Sequence, residues 1–466
     1  MNYIDTCVMF QSQFSFNFPH WKPIPMLYLR FVNGLVAGGG AGNILEIHSV
    51  HPVSLLIIVA FQHIAMVAAE VYFAWTVLKC TKARIALVVL LSVFPPISLH
   101  AHTVGLEGYV APAVLVMAAI TFTLCRQDGR TRKNLMLLTA VCFTASFIRH
   151  DLAVLFSLGP LAVLFSTLVQ GHGVKVAAKG FGLALLIVTV GFVSVSIVER
   201  IYLSIAGIQV TSNIGRLGAG WLQSNAEPML DASALKSLEN EVCGCVKGVK
   251  NPRLYVHRLM YPEVDAYDEI QEIYVREHPI MLYVNQREGN DKTDLLLNEI
   301  VRCYVLTNPG RFVVQAWGRV GSFANLTLGQ KHQVGNSKGF AQIAGRYPVT
   351  IGLVGPRGFL SFDGREYDKI AANPLFSIFD AVSVPMLAAL ALGSLLVVSV
   401  VRRPMAERLV PLWVFLFSGS LHLTVMGAMA GGIFRYAIVF GVLFWIVLIM
   451  PVLLLLDEHL ARKTRG

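Results

Sequence analysis

Apolar runs of membrane-spanning length alternate with short polar connectors along most of the chain, and one long polar segment interrupts them. A helix needs about twenty mostly apolar residues to cross a hydrocarbon core. On that length the sequence predicts about nine spans, at 53–78, 84–99, 107–125, 134–149, 151–169, 180–206, 376–401, 409–428 and 433–456. The second is short and holds Pro95-Pro96, which kinks or ends it. The fourth and fifth nearly touch at Arg149-His150-Asp151, a tight hairpin tip. The expected fold class is therefore an α-helical polytopic membrane protein with one large, mostly α, extracytoplasmic domain. Its divisions are an outward amino-terminal segment with an interfacial helix (1–52), spans one to six (53–206), the polar domain (207–375), and spans seven to nine with a cytoplasmic tail (376–466).

Charge orients this pattern. Lys79/Lys82/Arg84, Arg126/Arg130/Arg132/Lys133, Lys175/Lys179, Arg402/Arg403/Arg408 and Arg462/Lys463/Arg465 fall at every second boundary between apolar runs. Cytoplasmic loops carry such an excess of Lys and Arg. With those clusters inside, 100–106, 149–151, 207–375 and 429–432 face outward, and 100–106 contains no Lys or Arg. The expected location is the plasma membrane, with the carboxyl tail cytoplasmic. An odd number of spans places the amino terminus outside without a signal peptide, so a first helix is expected upstream of Met1. Ile24 to Gly42, broken by Pro25 and Gly38-Gly39-Gly40, reads as interfacial or re-entrant.

Composition agrees with the membrane reading. Hydrophobic residues make up 55% of the 466 and charged residues only 14%, against roughly a quarter charged in soluble domains. The net charge of +10 sits largely in the short loops, where it sets topology and meets anionic headgroups, so membrane lipids are expected partners and nucleic acid is not. Among the cysteines, Cys80, Cys125 and Cys142 read as small core hydrophobes. Cys303 can pair with Cys243 or Cys245 in the outward segment, while Cys-Gly-Cys is too short and isolated for zinc. Within that segment, 226–300 has the spacing of short amphipathic helices, and a turn at Asn308-Pro309-Gly310 opens another helix through about Ser322.

Candidate chemistry lies among ionisable residues at the outer face, because burying them is costly. They include Asp5, His100, His102, Glu107, Arg149, His150, Asp151, Asp380 and Arg435. Singly, each has a structural reading: Arg149-His150-Asp151 as a solvated turn with Asp151 capping the next helix, and Arg435-Tyr436 as an interfacial anchor. Together they ring the bundle's mouth. Arginines there suit a phosphate, which they clamp in a bidentate manner, and a nearby carboxylate suits a general base. His100-Ala101-His102 lacks a third ligand, so no metal site is assigned. Glu70, inside the first span with His63 two turns above it, is a separate intramembrane candidate.

The order of these features resembles the GT-C superfamily of membrane glycosyltransferases. The residues that carry it are Asp5, the apolar stretch entered through Trp21-Lys22-Pro23-Ile24-Pro25, Gln62, Pro95-Pro96 and Glu107, Arg149 at a helix end, Asn308-Pro309-Gly310-Arg311-Phe312, and Gly431-Gly432-Ile433-Phe434-Arg435-Tyr436. The resemblance covers most of the chain and rests on order and spacing. It implies transfer of a sugar from a polyprenyl-phosphate donor to a glycan or lipid acceptor at the outer face. Asp5 would be the catalytic base, standing alone where the family often has an acidic pair. A divalent cation is the one cofactor the resemblance admits. Arg149 and Arg435 would hold the lipid-linked phosphate, with Glu107, His150, Asp151 and Tyr436 lining the same substrate site. Three rivals stand beside this reading: a transporter or flippase using Glu70, a surface-polysaccharide polymerase or ligase using Arg253, His257 and Arg258, and a non-catalytic descendant.

Overall fold

The computed structural model describes residues 31–32, 34–36, 52–98, 106–126, 131–171, 173–205, 232–247, 251–260, 290–321, 374, 378–379, 381–402, 405–430 and 434–463. Among the described residues the regular elements are helices. In chain order they are α1 (Pro52–Val77), α2 (Thr81–Ser92), α3 (Pro95–Ser98), a 3-10 turn (Leu106–Tyr109), α4 (Val110–Leu124), α5 (Thr131–Ile148), a 3-10 helix (His150–Ser157), α6 (Leu158–Val169) and α7 (Val174–Ile205). A second group follows, α8 (Ala232–Cys245), α9 (Arg253–Met260), α10 (Asn290–Thr307) and α11 (Pro309–Gly321). The chain then returns to long apolar helices, α12 (Val384–Val401), α13 (Ala406–Ala430) and α14 (Phe434–Lys463).

The protein is a helical membrane protein. Six of the described helices are long and apolar enough to cross a bilayer, against the nine spans expected from hydropathy. The other three expected spans fall on shorter or more polar helices. Pro95-Pro96 divides the second into α2, of 12 residues, and α3, of 4. The third is α4, at 15 residues, and the fourth is α5, whose first turn carries Arg132 and Lys133.

Burial sorts these helices. In the apolar window of α14, 72% of the residues are buried, against 17% in that of α7. Thus α14 is the axis of the bundle, packed on α12, α13 and α4, and α7 is a peripheral helix that packs on α6 and α5. Since lipid is as apolar as leucine, close packing and hydrogen bonds hold such helices together. Small residues allow that approach: a Cβ on Gly419 would lie 2.8 Å from Phe444, and one on Gly191 2.7 Å from Thr139. Between helices, Ser394 Oγ donates to the Leu448 carbonyl at 3.1 Å, and Trp445 Nε1 donates to the Leu90 carbonyl at 3.0 Å. The Trp445 ring also stacks on Phe94, centroids 4.8 Å apart.

The basic residues do local work at one end of the bundle. A helix leaves its last carbonyls without intrahelical partners. At the end of α1, Arg126 Nη2 donates to the Val77 carbonyl at 3.2 Å, and Arg84 Nε donates to that of Leu78 at 2.9 Å. The tight turn into α2 is held from α14, where the buried Asp457 carboxylate accepts from the backbone N–H of Lys79 at 2.9 Å and of Cys80 at 2.6 Å. Asp457→Ala should therefore lower stability by about 1–3 kcal/mol, the cost of orphaning buried donors. Thermal melts of purified protein in detergent check it, and an unchanged melting temperature would contradict this role.

The segment between α7 and α12 has its own core. Leu238, Val242, Val256, Leu297, Ile300 and Tyr304 bury against one another at the junction of α8, α9 and α10. A disulfide joins Cys245 to Cys303, with Cα atoms 5.6 Å apart and a sequence separation of 58. Of the two partners expected for Cys303, Cys245 is the one used. Cys243 remains a thiol, its pKa raised by burial and by the neighbouring Glu239 carboxylate. The acidic, aromatic stretch 266–274 lies outside the described residues.

Candidate functional site

The junction between α5 and α6 forms the most polar buried cluster at the end of the bundle opposite Asp457. Helix α5 closes when Arg149, whose amide still bonds the Ala145 carbonyl at 3.0 Å, adopts an extended backbone (φ −148°, ψ 133°). The carbonyl of Arg149 then accepts from Leu152 at 3.1 Å and starts the 3-10 helix. Asp151 is the acidic residue of its first turn, and its carboxylate meets the side chains around it. Arg149 Nε donates to Oδ1 at 2.9 Å and Nη2 donates to Oδ2 at 2.7 Å. This two-point geometry is the strongest form of an Arg–carboxylate contact.

A third group completes the cluster. His422, in the last third of α13, brings Nε2 to 3.2 Å from Asp151 Oδ2. Arg149, Asp151 and His422 are 9%, 6% and 0% exposed, so the tip is buried and not a solvated turn. An ionised carboxylate only accepts, so Nε2 carries a proton in either charge state of the imidazole. Among the described residues Nδ1 has no hydrogen-bond partner. The ring lies 6.0 Å from Phe440 of α14, and one turn away Ser157 Oγ donates to Ser418 Oγ at 3.1 Å. Chemically, Arg149 and Asp151 neutralise each other while Asp151 orients the imidazole, the arrangement by which a carboxylate fixes the tautomer and direction of a histidine.

The remaining predicted site residues fall around this cluster unevenly. Glu107 is on the turn Leu106–Tyr109, which packs on α1 and on α5. Gly108 permits that packing, because a Cβ there would lie 2.5 Å from the carboxamide carbon of Gln62. His150 is the first residue of the 3-10 helix. Arg435 and Tyr436 are in the first turn of α14. For Glu107, His150, Arg435 and Tyr436 the backbone alone is described. Counting from Phe440, Arg435 stands about 7 Å nearer the helix end than the His422 level. Glu107, Arg149, His150, Asp151, Arg435 and Tyr436 thus share one end of the bundle. Asp5, His100, His102 and Asp380 lie outside the described residues.

Two polar groups elsewhere complete the picture. Glu70 is 1% exposed and accepts from Ser92 Oγ at 2.8 Å, while its Oε1 has no partner among the described residues. In the disulfide-linked unit, Glu239 lies 3.3 Å from both Arg253 Nε and His257 Nδ1. Arg253 and His257, two of the three residues of the polymerase reading, are therefore engaged within their own fold, and for Arg258 the backbone alone is described. No group of three or more His, Cys, Asp or Glu among the described residues is placed to hold a metal ion.

Sequence reasoning missed His422. Its signal was present, since a lone histidine in Ser418-Gly419-Ser420-Leu421-His422-Leu423 is an ionisable group inside an apolar helix. No protein-family model, no curated protein and no solved structure matches the chain.

Proposed function

We propose that the chain is a membrane glycosyltransferase, moving a sugar from a polyprenyl-phosphate donor to a glycan or lipid acceptor at the extracytoplasmic face. The observation that carries this reading is the gathering of the Glu107 turn, the Arg149–Asp151–His422 cluster and the Arg435-Tyr436 start of α14 at one end of the bundle, away from the basic loops. A polyprenyl tail stays in the bilayer, so its phosphate lies at headgroup depth. Departure of that phosphate needs cationic stabilisation, and the acceptor needs a base. Arg435 serves the phosphate, Arg149 is a cation already oriented by Asp151, and Asp5 is the base. The disulfide between Cys245 and Cys303 supports an oxidising, outward setting for the unit between α7 and α12.

Purified protein given a polyprenyl-phosphate sugar should release polyprenyl phosphate. Arg435→Ala and Asp5→Asn should each reduce release by about 10²-fold or more, the usual range for a phosphate clamp or a general base. Full activity in Asp5→Asn would remove Asp5 from the base role, and no release by the unsubstituted protein across donors would overturn the reading. The buried Glu70, one oxygen of which lacks a partner among the described residues, favours a second reading as a proton-coupled transporter. Vesicle uptake that is driven by a proton gradient and lost in Glu70→Gln would select it.

A further inference from the structure

Helix α11 has its amphipathic faces the wrong way round for a water-soluble helix. Val313, Trp317 and Val320 recur at the spacing of one helical face, with Val314 beside them, and Arg311, Gln315 and Arg319 occupy the opposite face. In a helix resting on a soluble core the first group would be covered. Here Val313, Val314 and Trp317 are 62%, 71% and 70% exposed. The polar side is instead the inner one. Gln315 Oε1 accepts a hydrogen bond from Tyr304, a residue fully buried in the disulfide-linked core. Arg311 Nη1 and Arg319 Nη2 are covered from solvent.

What covers the apolar face follows from where the helix lies. Helix α11 runs against α13, one of the six helices able to cross a bilayer, and Phe417 and Leu421 of α13 are also exposed apolar residues. Both of these contacting helices thus leave apolar side chains exposed, which acyl chains would cover. At 13 residues, with Arg311 and Arg319 in it, α11 is too short and too charged to cross. A short helix with aliphatic residues and Trp on one side and Arg on the other suits the boundary between headgroups and acyl chains. We infer that α11 is an interfacial helix, seated in one leaflet with Val313, Val314 and Trp317 in the lipid, and that it moors the disulfide-linked unit to the membrane through Gln315–Tyr304. This holds whatever reaction the protein performs.

Trp317 is the reporter. The chain has 6 tryptophans, so the contribution of Trp317 is the difference between the unsubstituted protein and Trp317→Phe. In nanodiscs whose lipids carry bromine in the upper acyl chain, that contribution should lose about half its intensity, the response of a ring in the interfacial belt. Aqueous iodide should leave it unchanged. Quenching of Trp317 by iodide would place the face in water and overturn the proposal. Insensitivity to both quenchers would mean that protein covers it, from this chain or a second copy, and would overturn it equally.

Discussion

Asp151→Ala is expected to destabilise the protein by about 3–5 kcal/mol, because it removes the carboxylate that pairs with the buried Arg149 guanidinium through two hydrogen bonds. The Arg149 side chain is 10% exposed, so water does little to replace the lost carboxylate. Coulomb attraction alone does not make such a pair stabilising, since both ions were taken out of water to form it. Removing one partner is what exposes the cost. Two further variants separate these effects. Asp151→Asn keeps the shape but not the charge, and should lose nearly as much. Arg149→Met with Asp151→Leu removes both charges and should recover most of the loss. It should still fall short by about 1–3 kcal/mol, because His422 Nε2–H then lacks its acceptor. Thermal melts in detergent, read by the folded fraction on size exclusion, measure all three. A loss below about 1 kcal/mol in Asp151→Ala, the range of a solvated surface pair, would contradict the buried cluster.

Cys303→Ser is expected to unfold the unit of α8, α9 and α10 while leaving the bundle intact. Chain-entropy arguments put a cross-link closing 58 residues at about 4 kcal/mol. The core it supports is small, built on about a dozen apolar side chains, and units of that size commonly depend on such a staple. Protease should then cut within 232–307 at concentrations that spare the same sites in the unsubstituted protein. Cys243→Ser should be nearly silent, because Cys243 is a free, half-buried thiol. Equal losses in the two variants would show that Cys243 shares the bridge.

The sequence made the membrane class and most helix positions legible, because lipid imposes length and apolarity on every span. It could not separate lipid-facing from buried helices, since both are apolar. α7 and α14 have similar hydropathy and opposite burial, and the difference lies in contacts such as Gly419 against Phe444. The count of nine failed where local chemistry intervened: Pro95-Pro96 ends α2 early, and α4 is short and buried on nearly all sides. The basic clusters suggested an orientation in the membrane, but the capping of α1 by Arg84 and Arg126 required the fold. At the site, Arg149 and Asp151 could be found because they are neighbours in sequence. Their burial and their partner His422, 271 residues from Asp151, could not.

All of the proposed chemistry depends on which end of the bundle faces outward. Cysteines introduced at Lys82, in the basic loop, and at Lys247, exposed beside the disulfide-linked unit, report the two ends. In intact cells a membrane-impermeant maleimide should label Lys247→Cys and leave Lys82→Cys unlabelled until the membrane is permeabilised. Labelling of Lys82→Cys in intact cells, with Lys247→Cys protected, would put Arg149 and Arg435 on the cytoplasmic side and contradict the account.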